Sequence, residues 1–281
     1  MKFTQTKLPK DAIQNLRRVP VGEFKPNTVT PAPVYVYLER NQKFVSVKSQ
    51  LGFFTEAELA KLAPYENLYL AALVDVVAPF CKAGAAVKSL LQLREVHNVQ
   101  TKDGKAVVKL PPAPHELGDS VARLIGPLWA RGTKLEPFFL SFFADEVCGP
   151  IDAATLGQIH DQSVDACELA YLRSSTAVFL ALHVGFTEPA RLASIRARAF
   201  VEIFQPASDN VPVNINEQVL LLARSLITDP DTREITPEAI SKIGGAAAAK
   251  IIARLDRIGL EFIDHQAEPP SLYGKNGVIH E

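Results

Sequence analysis

Apolar residues change their spacing along this chain, and the change divides it. Short runs of β-branched and aromatic residues come first. Val34-Tyr35-Val36-Tyr37-Leu38 and Phe44-Val45-Ser46-Val47 flank the polar Glu39-Arg40-Asn41-Gln42-Lys43 and predict a hairpin. Thr55 with Glu58 has the spacing of a capping box, opening a helix that ends near Pro64. Asn67-Leu68-Tyr69-Leu70 follows as a third strand. Upstream, residues 1–33 read as an extended arm with a short helix over Asp11–Arg18, halted by Pro20, Pro26, Pro31 and Pro33. A helix over Val76–Leu93 and a second hairpin around Asp103-Gly104 complete this half.

Beyond Pro111, Pro112 and Pro114, which form a stiff linker, helical spacing takes over. Helices are expected over Glu116–Ala130 and Glu136–Val147. One from Asp152 toward Leu182 carries an expected break near Ser174-Ser175. Another opens at Thr187-Glu188-Pro189 and ends before Pro206. Asn214 with Glu217 has capping-box spacing and starts a helix to about Ile227. Thr236-Pro237-Glu238 starts another, Gly244-Gly245 interrupts it, and Ala246–Ile263 closes the bundle. The fold class is therefore α+β, mostly helical. An arm and small α+β module with hairpins occupy residues 1–110, a helical domain 115–265, and a loose tail 266–281.

Of the 281 residues, 47% are apolar, enough for a buried core, and 22% are charged. Three widely spaced cysteines, Cys81, Cys148 and Cys167, argue against a disulfide framework and for buried thiols. The first residues lack a signal-peptide apolar core. The stretch Leu68–Val87 is interrupted by Asp75, Pro79 and Lys82, so no membrane span is expected. The expected location is the cytoplasm. A net charge of −1 conceals an asymmetry. Residues 1–110 carry 16 Lys and Arg against 9 Asp and Glu, whereas residues 111–281 carry 14 against 22. Chance, opposite fields that help two domains dock, and an anionic partner for the first half (nucleotide, nucleic acid or lipid) each account for this. No dense basic tract points to nucleic acid.

The histidines are His97, His115, His160, His183, His265 and His280, and none forms a short metal-ligand spacing with another. Val164, Cys167, Tyr171, Ser174, Val178 and Leu182 recur every three or four residues. His160 stands four before Val164, so the periodicity turns it toward the same apolar face. Asp161, Asp165 and Glu168 share a solvated face. A metal clamp made of His160 and Asp161 together is awkward on one regular helix.

The run HDQSVDACELAYLRSSTAVFLALHVGFTEPARLASIRARAFVEIFQ, from His160 onward, resembles the opening of an HD-type phosphohydrolase domain, the HD-GYP branch in particular. His160 matches that family's first histidine, and His183-Val184-Gly185-Phe186-Thr187 the turn between its helices. The family's metal-ligating His-Asp pair falls near Phe200–Phe204, where this chain has Phe-Val-Glu-Ile-Phe. No Gly-Tyr-Pro triplet or downstream histidine ligands follow. Upstream, PVYVYLERNQKFVSVKSQLGFFTEAELAKL is similar to the small N-terminal domain of some bacterial HD-GYP proteins. The two matches cover about half of the chain. The resemblance implies a degenerate, bacterial-type relative that has lost the family's usual catalysis and keeps its scaffold. Metal phosphodiester hydrolysis needs several N and O ligands, and His160 with Glu202 alone is too few.

The remaining candidates have simpler readings. His183 is expected at a helix end, as an imidazolium favoured by the dipole. His97 and His115 are expected on the surface. Cys148, His160 and Cys167 match no zinc spacing. Gly244-Gly245 lacks the strand and Lys-Ser/Thr of a phosphate loop and reads as a hinge or a site of close helix packing. Arg17-Arg18 and Arg191, Arg196 and Arg198 could grip a phosphate, with solvated arginines as the default. Four phenylalanines in six residues, Phe138, Phe139, Phe142 and Phe143, supply core packing with part left as an interaction surface.

The expected function is non-catalytic signalling, by ligand sensing or protein docking. Ligand-binding residues are His160, Arg191 and Glu202, with no metal and no cofactor. A protein partner or self-association is expected, together with an anionic small molecule such as a cyclic dinucleotide. The alternatives are a divalent-metal phosphodiesterase built on His160, Glu202 and acids such as Asp209, and a structural oligomer using Phe138–Phe143.

Overall fold

The computed structural model describes residues 16–30, 32–49, 52–71, 74–92, 98–102, 105–109, 112–129, 135–204, 214–229 and 235–257. Strands β1 (Leu16–Pro20), β2 (Val34–Leu38), β3 (Lys43–Lys48) and β4 (Asn67–Ala71) form one antiparallel sheet in the order β1-β4-β2-β3. The β2–β3 hairpin is present as expected. Leu16-Arg17-Arg18, expected to end a helix, are strand instead, and the rest of that segment lies outside the described residues. The reason is pairing. Arg17 stands opposite Leu70 and Val19 opposite Leu68, so β1 satisfies an edge of β4 that a helix would leave open.

Helix α1 (Glu56–Leu62) begins at the expected capping box. Thr55 Oγ1 accepts the Glu58 N–H at 3.2 Å, and the Glu58 carboxylate accepts the Thr55 N–H at 2.9 Å. Lys48 then reaches Glu58 at 2.8 Å, tying β3 to the helix. Val34, Val36, Phe54, Leu68 and Leu70 fill the core beneath the sheet. Its other face carries Tyr37, Phe44 and Tyr69 in mutual edge and tilted contact, with centroids 4.9 to 6.4 Å apart.

Helix α2 (Val74–Gln92) leads into the second hairpin, β5 (Asn98–Lys102) and β6 (Lys105–Lys109). Then come α3 (Pro114–Trp129), α4 (Pro137–Cys148), α5 (Ala153–Gln162), α6 (Val164–Val184), α7 (Pro189–Val201), α8 (Ile215–Leu226), α9 (Pro237–Ile243) and α10 (Gly245–Arg257). Phe80, Val87 and Leu91 of α2 belong to the same apolar core as α3, α4 and α6, so the helical core draws on residues before the proline linker. Gly84 makes that possible. A Cβ there would lie 2.7 Å from Glu146 Cβ and 2.8 Å from Phe143 O, so α2 approaches α4 more closely than alanine permits.

Helix α6 is the axis of the bundle. Every residue from Ser174 to Val184 is buried. A helix surrounded on all sides needs no polar face, which is why Val178-Phe179-Leu180-Ala181-Leu182 contains no polar position. The expected break at Ser174-Ser175 does not occur, because the Ser174 hydroxyl donates back to Tyr171 O at 2.9 Å and the helix continues. The chain breaks earlier instead. Ser163 is extended (φ −161°, ψ 120°), and its hydroxyl accepts the Ala166 N–H, capping α6. His160 therefore lies on a separate helix, and the single face from His160 to Leu182 is interrupted.

The later caps follow the sequence. Asp152 caps α5, Asn214 caps α8 and Thr236 caps α9. Gly244, with φ of 73°, separates α9 from α10, and Gly245, with φ of 91°, opens α10. Gln218 accepts the Ala247 N–H at 3.0 Å, so the start of α10 is satisfied from within the chain. Among the described residues, no helix is long and apolar enough to cross a membrane.

Candidate functional site

Three polar side chains inside the bundle are tied to one another, whereas the buried hydroxyls of Ser141, Ser175 and Thr176 have no hydrogen-bond partner among the described residues. Tyr171, on α6, donates its hydroxyl to the two carboxylate oxygens of Asp145, at 2.8 and 3.0 Å. Arg196, on α7, forms an ion pair with the same carboxylate and donates to Ala144 O and Gly149 O at the end of α4. One guanidinium thus neutralises a buried acid and covers carbonyls that the helix end leaves open. Burial raises the Asp145 pKa, with Arg196 and Tyr171 pulling the other way. Burial most strongly opposes the charge on Arg196, but Asp145, Tyr171 and Cys148 together outweigh it and the guanidinium pKa rises. The Tyr171 phenol is held well above its ordinary value by burial and by Asp145.

His183 is fully enclosed in the last turn of α6. Its Nε2 accepts the Trp129 indole N–H at 3.0 Å, so its Nδ1 carries the proton and donates to Phe179 O at 3.0 Å. Burial is the main cause that lowers its pKa from 6.5 to about 4, with Arg254 adding repulsion. The expected imidazolium at a helix end is thus corrected. The position is right, but the ring is neutral because full burial penalises the charged form. Both nitrogens are occupied and neither is free to hold an ion.

Arg254, from α10, lies between two glycines. A Cβ at Gly118 would fall inside van der Waals contact of its guanidinium, and one at Gly185 would be 2.6 Å from Nη2. Asp119 balances its charge at 3.2 Å and also pairs with Arg257.

Of the residues expected to bind a ligand, Arg191 and Glu202 interact with other described groups. His160 is on α5, and its side chain lies outside the described residues, as do Asp161 and Asp209. Arg191 lies 3.5 Å over the Phe186 ring and donates to Asn216 Oδ1 at 2.6 and 3.1 Å, so its fork is engaged within the chain. Glu202 is half-buried in the turn after α7, where its charge favours that of Arg173. Phe142 and Phe143 are buried, whereas Phe138 and Phe139 are half-buried. Phe139 stacks on Phe80 at 5.0 Å, and Phe138 meets Phe142 edge-on at 5.4 Å. The aromatic run is thus divided, with two rings inside the core and two at its margin.

His115 is exposed as expected, and His97 lies outside the described residues. Burial first, with nearby acids assisting, pushes the thiols of Cys81 and Cys167 up to about 11; burial does the same to Cys148. Among the described residues, no three His, Cys, Asp or Glu side chains are grouped so as to hold a metal ion.

Arg196 overturns the default of a solvated arginine, and its sequence carried a signal. Leu192, Ile195 and Ala199 mark the buried arc of α7, and Arg196 falls inside that arc. A charge at an apolar position implies a buried partner. Nothing in the local pattern identified that partner as Asp145.

A separate cleft of about 260 Å³ opens in the N-terminal module, between β1, β4 and the segment 21–30. Arg17, Glu23, Lys25 and Thr28 supply its polar lining, and Val19, Phe24 and Leu70 its apolar walls. The segment is firmly held. Asn27 N–H donates to Phe54 O at 2.8 Å, Thr30 N–H to Gly52 O at 2.7 Å, and the Thr30 hydroxyl lies 3.0 Å from Gly52 O and 3.1 Å from Ser49 O. Phe24 packs edge-on against Phe54 at 5.6 Å. Asn27 takes the left-handed conformation, φ 58°, that turns the segment back over the sheet.

Compared with protein-family models, curated proteins and solved structures, the chain matches none.

Proposed function

We propose that the chain is a non-catalytic signalling scaffold of the cytoplasm, a degenerate HD-GYP-like protein that senses a small anionic ligand or docks a protein partner. One observation carries the reading. Where the resemblance would put the metal-ligating His-Asp pair, Phe200 occupies the core, 1% exposed and in edge contact with Tyr171 at 6.1 Å. Ile203 is packed against the same cluster. Apolar side chains cannot replace the nitrogen and carboxylate donors that fix an ion and acidify its water. The neighbouring polar groups, Asp145, Tyr171 and Arg196, pair with one another, with Arg196 Nε left unpartnered among the described residues.

The test is titration of the purified chain with manganese, iron and zinc by calorimetry. It is paired with turnover assays on bis(p-nitrophenyl) phosphate and a cyclic dinucleotide. The expected result is no stoichiometric tight binding and no hydrolysis. Stoichiometric binding together with hydrolysis that is lost in His160→Ala would overturn the reading and restore the metal-dependent phosphodiesterase.

A further inference from the structure

We infer that the cleft beside β1 is a binding site for a small organic molecule with one anionic group, carboxylate or phosphate monoester, on a compact apolar body. This rests on the sensing half of the proposed function and supplies its location and ligand class. Two independent features meet there. Arg17, a candidate phosphate grip in the sequence, lines the cleft, as does Lys25 from the far side of a turn. Both are exposed, and among the described residues neither forms an ion pair. An arginine fork takes a carboxylate or phosphate through two parallel bonds, Lys25 adds a point charge, and the Thr28 hydroxyl adds a neutral donor.

The remaining lining sets the rest of the ligand. Val19, Phe24 and Leu70 offer apolar wall, which calls for an aromatic or branched aliphatic body. Glu23 reduces the charged lining to a net of one positive charge, which suits one anionic group better than a polyphosphate. The volume, about 260 Å³, falls below the range of roughly 300–1,000 Å³ usual for drug-sized ligands. A cyclic dinucleotide, with two bases and two phosphodiesters, overfills it. The walls are fixed by Asn27, Thr30 and Phe24 before any ligand arrives, so little ordering cost falls on binding.

The test uses the full chain, with benzoate and phenyl phosphate as probes and benzyl alcohol as a neutral control of similar shape. Backbone amide shifts are followed by NMR. Benzoate, phenyl phosphate or both should shift the amides of Val19, Phe24 and Thr28, and the stronger of the two identifies the anionic group. Benzyl alcohol should leave them unmoved. Arg17→Gln with Lys25→Gln should weaken binding about tenfold, with an unchanged melting temperature as the check on folding. Absence of shifts at the cleft with both anions, equal binding of benzyl alcohol, or unchanged affinity in the double variant would overturn the inference. Metal-dependent hydrolysis would overturn the scaffold reading without touching these shifts, so the two failures are distinguishable.

Discussion

The indole of Trp129 and the imidazole of His183 are joined by a 3.0 Å hydrogen bond between α3 and α6, with the indole as donor. Indole can only donate, so the imidazole nitrogen facing it must be unprotonated. Protonating His183 would break that bond and place a charge in the core near Arg254. The folded pKa is about 4 against 6.5 for a free ring. The unfolded chain therefore binds the proton more readily. Stability is complete above about pH 6.5, falls as the pH drops toward 4, and levels off below. The loss from this group amounts to about 3 kcal/mol. Urea melts from pH 7 to pH 3.5 check it. In His183→Phe, the acid-side slope between pH 6.5 and 4 should flatten relative to the parent.

Removing one member of the Asp145–Arg196 pair should cost far more than removing both. Arg196→Met leaves a buried carboxylate with only the Tyr171 hydroxyl and should destabilise the fold by about 3–5 kcal/mol. That cost should shrink at acidic pH, because the isolated Asp145 takes up a proton more readily than the paired one. The double variant Asp145→Leu with Arg196→Met should recover most of the loss. A double-mutant cycle measures the coupling, and additive losses would contradict a shared buried pair.

At Gly84, two effects of opposite sign compete. Alanine in a helix interior gains about 1 kcal/mol over glycine. Here the added Cβ meets Phe143 O at 2.8 Å, and backbone cannot swing aside as a side-chain tip can. Overpacking of this kind costs about 1–3 kcal/mol, so Gly84→Ala should be net destabilising. Thermal melts should show a lower midpoint, whereas Gly157→Ala, whose Cβ meets nothing within 4 Å, should not lower it.

Local chemistry was the legible part of this fold. The capping box at Thr55, the caps at Asp152, Asn214 and Thr236, and the β2–β3 hairpin each depend on residues only a few positions apart. What the pattern missed depends on distant partners. Leu16–Arg18 are strand because β4 lies beside them, fifty residues away in the chain. Helical periodicity runs straight across Ser163, yet a serine with a free amide three residues on is an equally good cap. The bundle's polar contacts escaped for the same reason. Helical periodicity can say that Arg196 and His183 point inward, but only the packing of α4, α6 and α7 says that Asp145 and Trp129 meet them there.

Gly118 and Gly185 both flank the Arg254 guanidinium, yet alanine should fail at the two sites for different reasons. Gly118 lies within α3 and has no conformational need to be glycine, so a Cβ there collides only with the guanidinium. Gly185 caps α6 with φ 103°, a conformation that L side chains rarely adopt, and also faces Arg254. Gly118→Ala alone should be destabilising by about 1–3 kcal/mol, through displacement of a partly buried charge from Asp119. In an Arg254→Ala background the collision is gone, and Gly118→Ala should become neutral or slightly stabilising through helix propensity. Gly185→Ala should cost more in the parent, where strain and collision add, and should remain costly by about 1 kcal/mol in the Arg254→Ala background, since the backbone strain does not depend on Arg254. Chemical denaturation of the four single and double variants, with Arg254→Ala as reference, separates the two. Complete rescue at both glycines would show that the guanidinium, not the left-handed turn, requires glycine at 185.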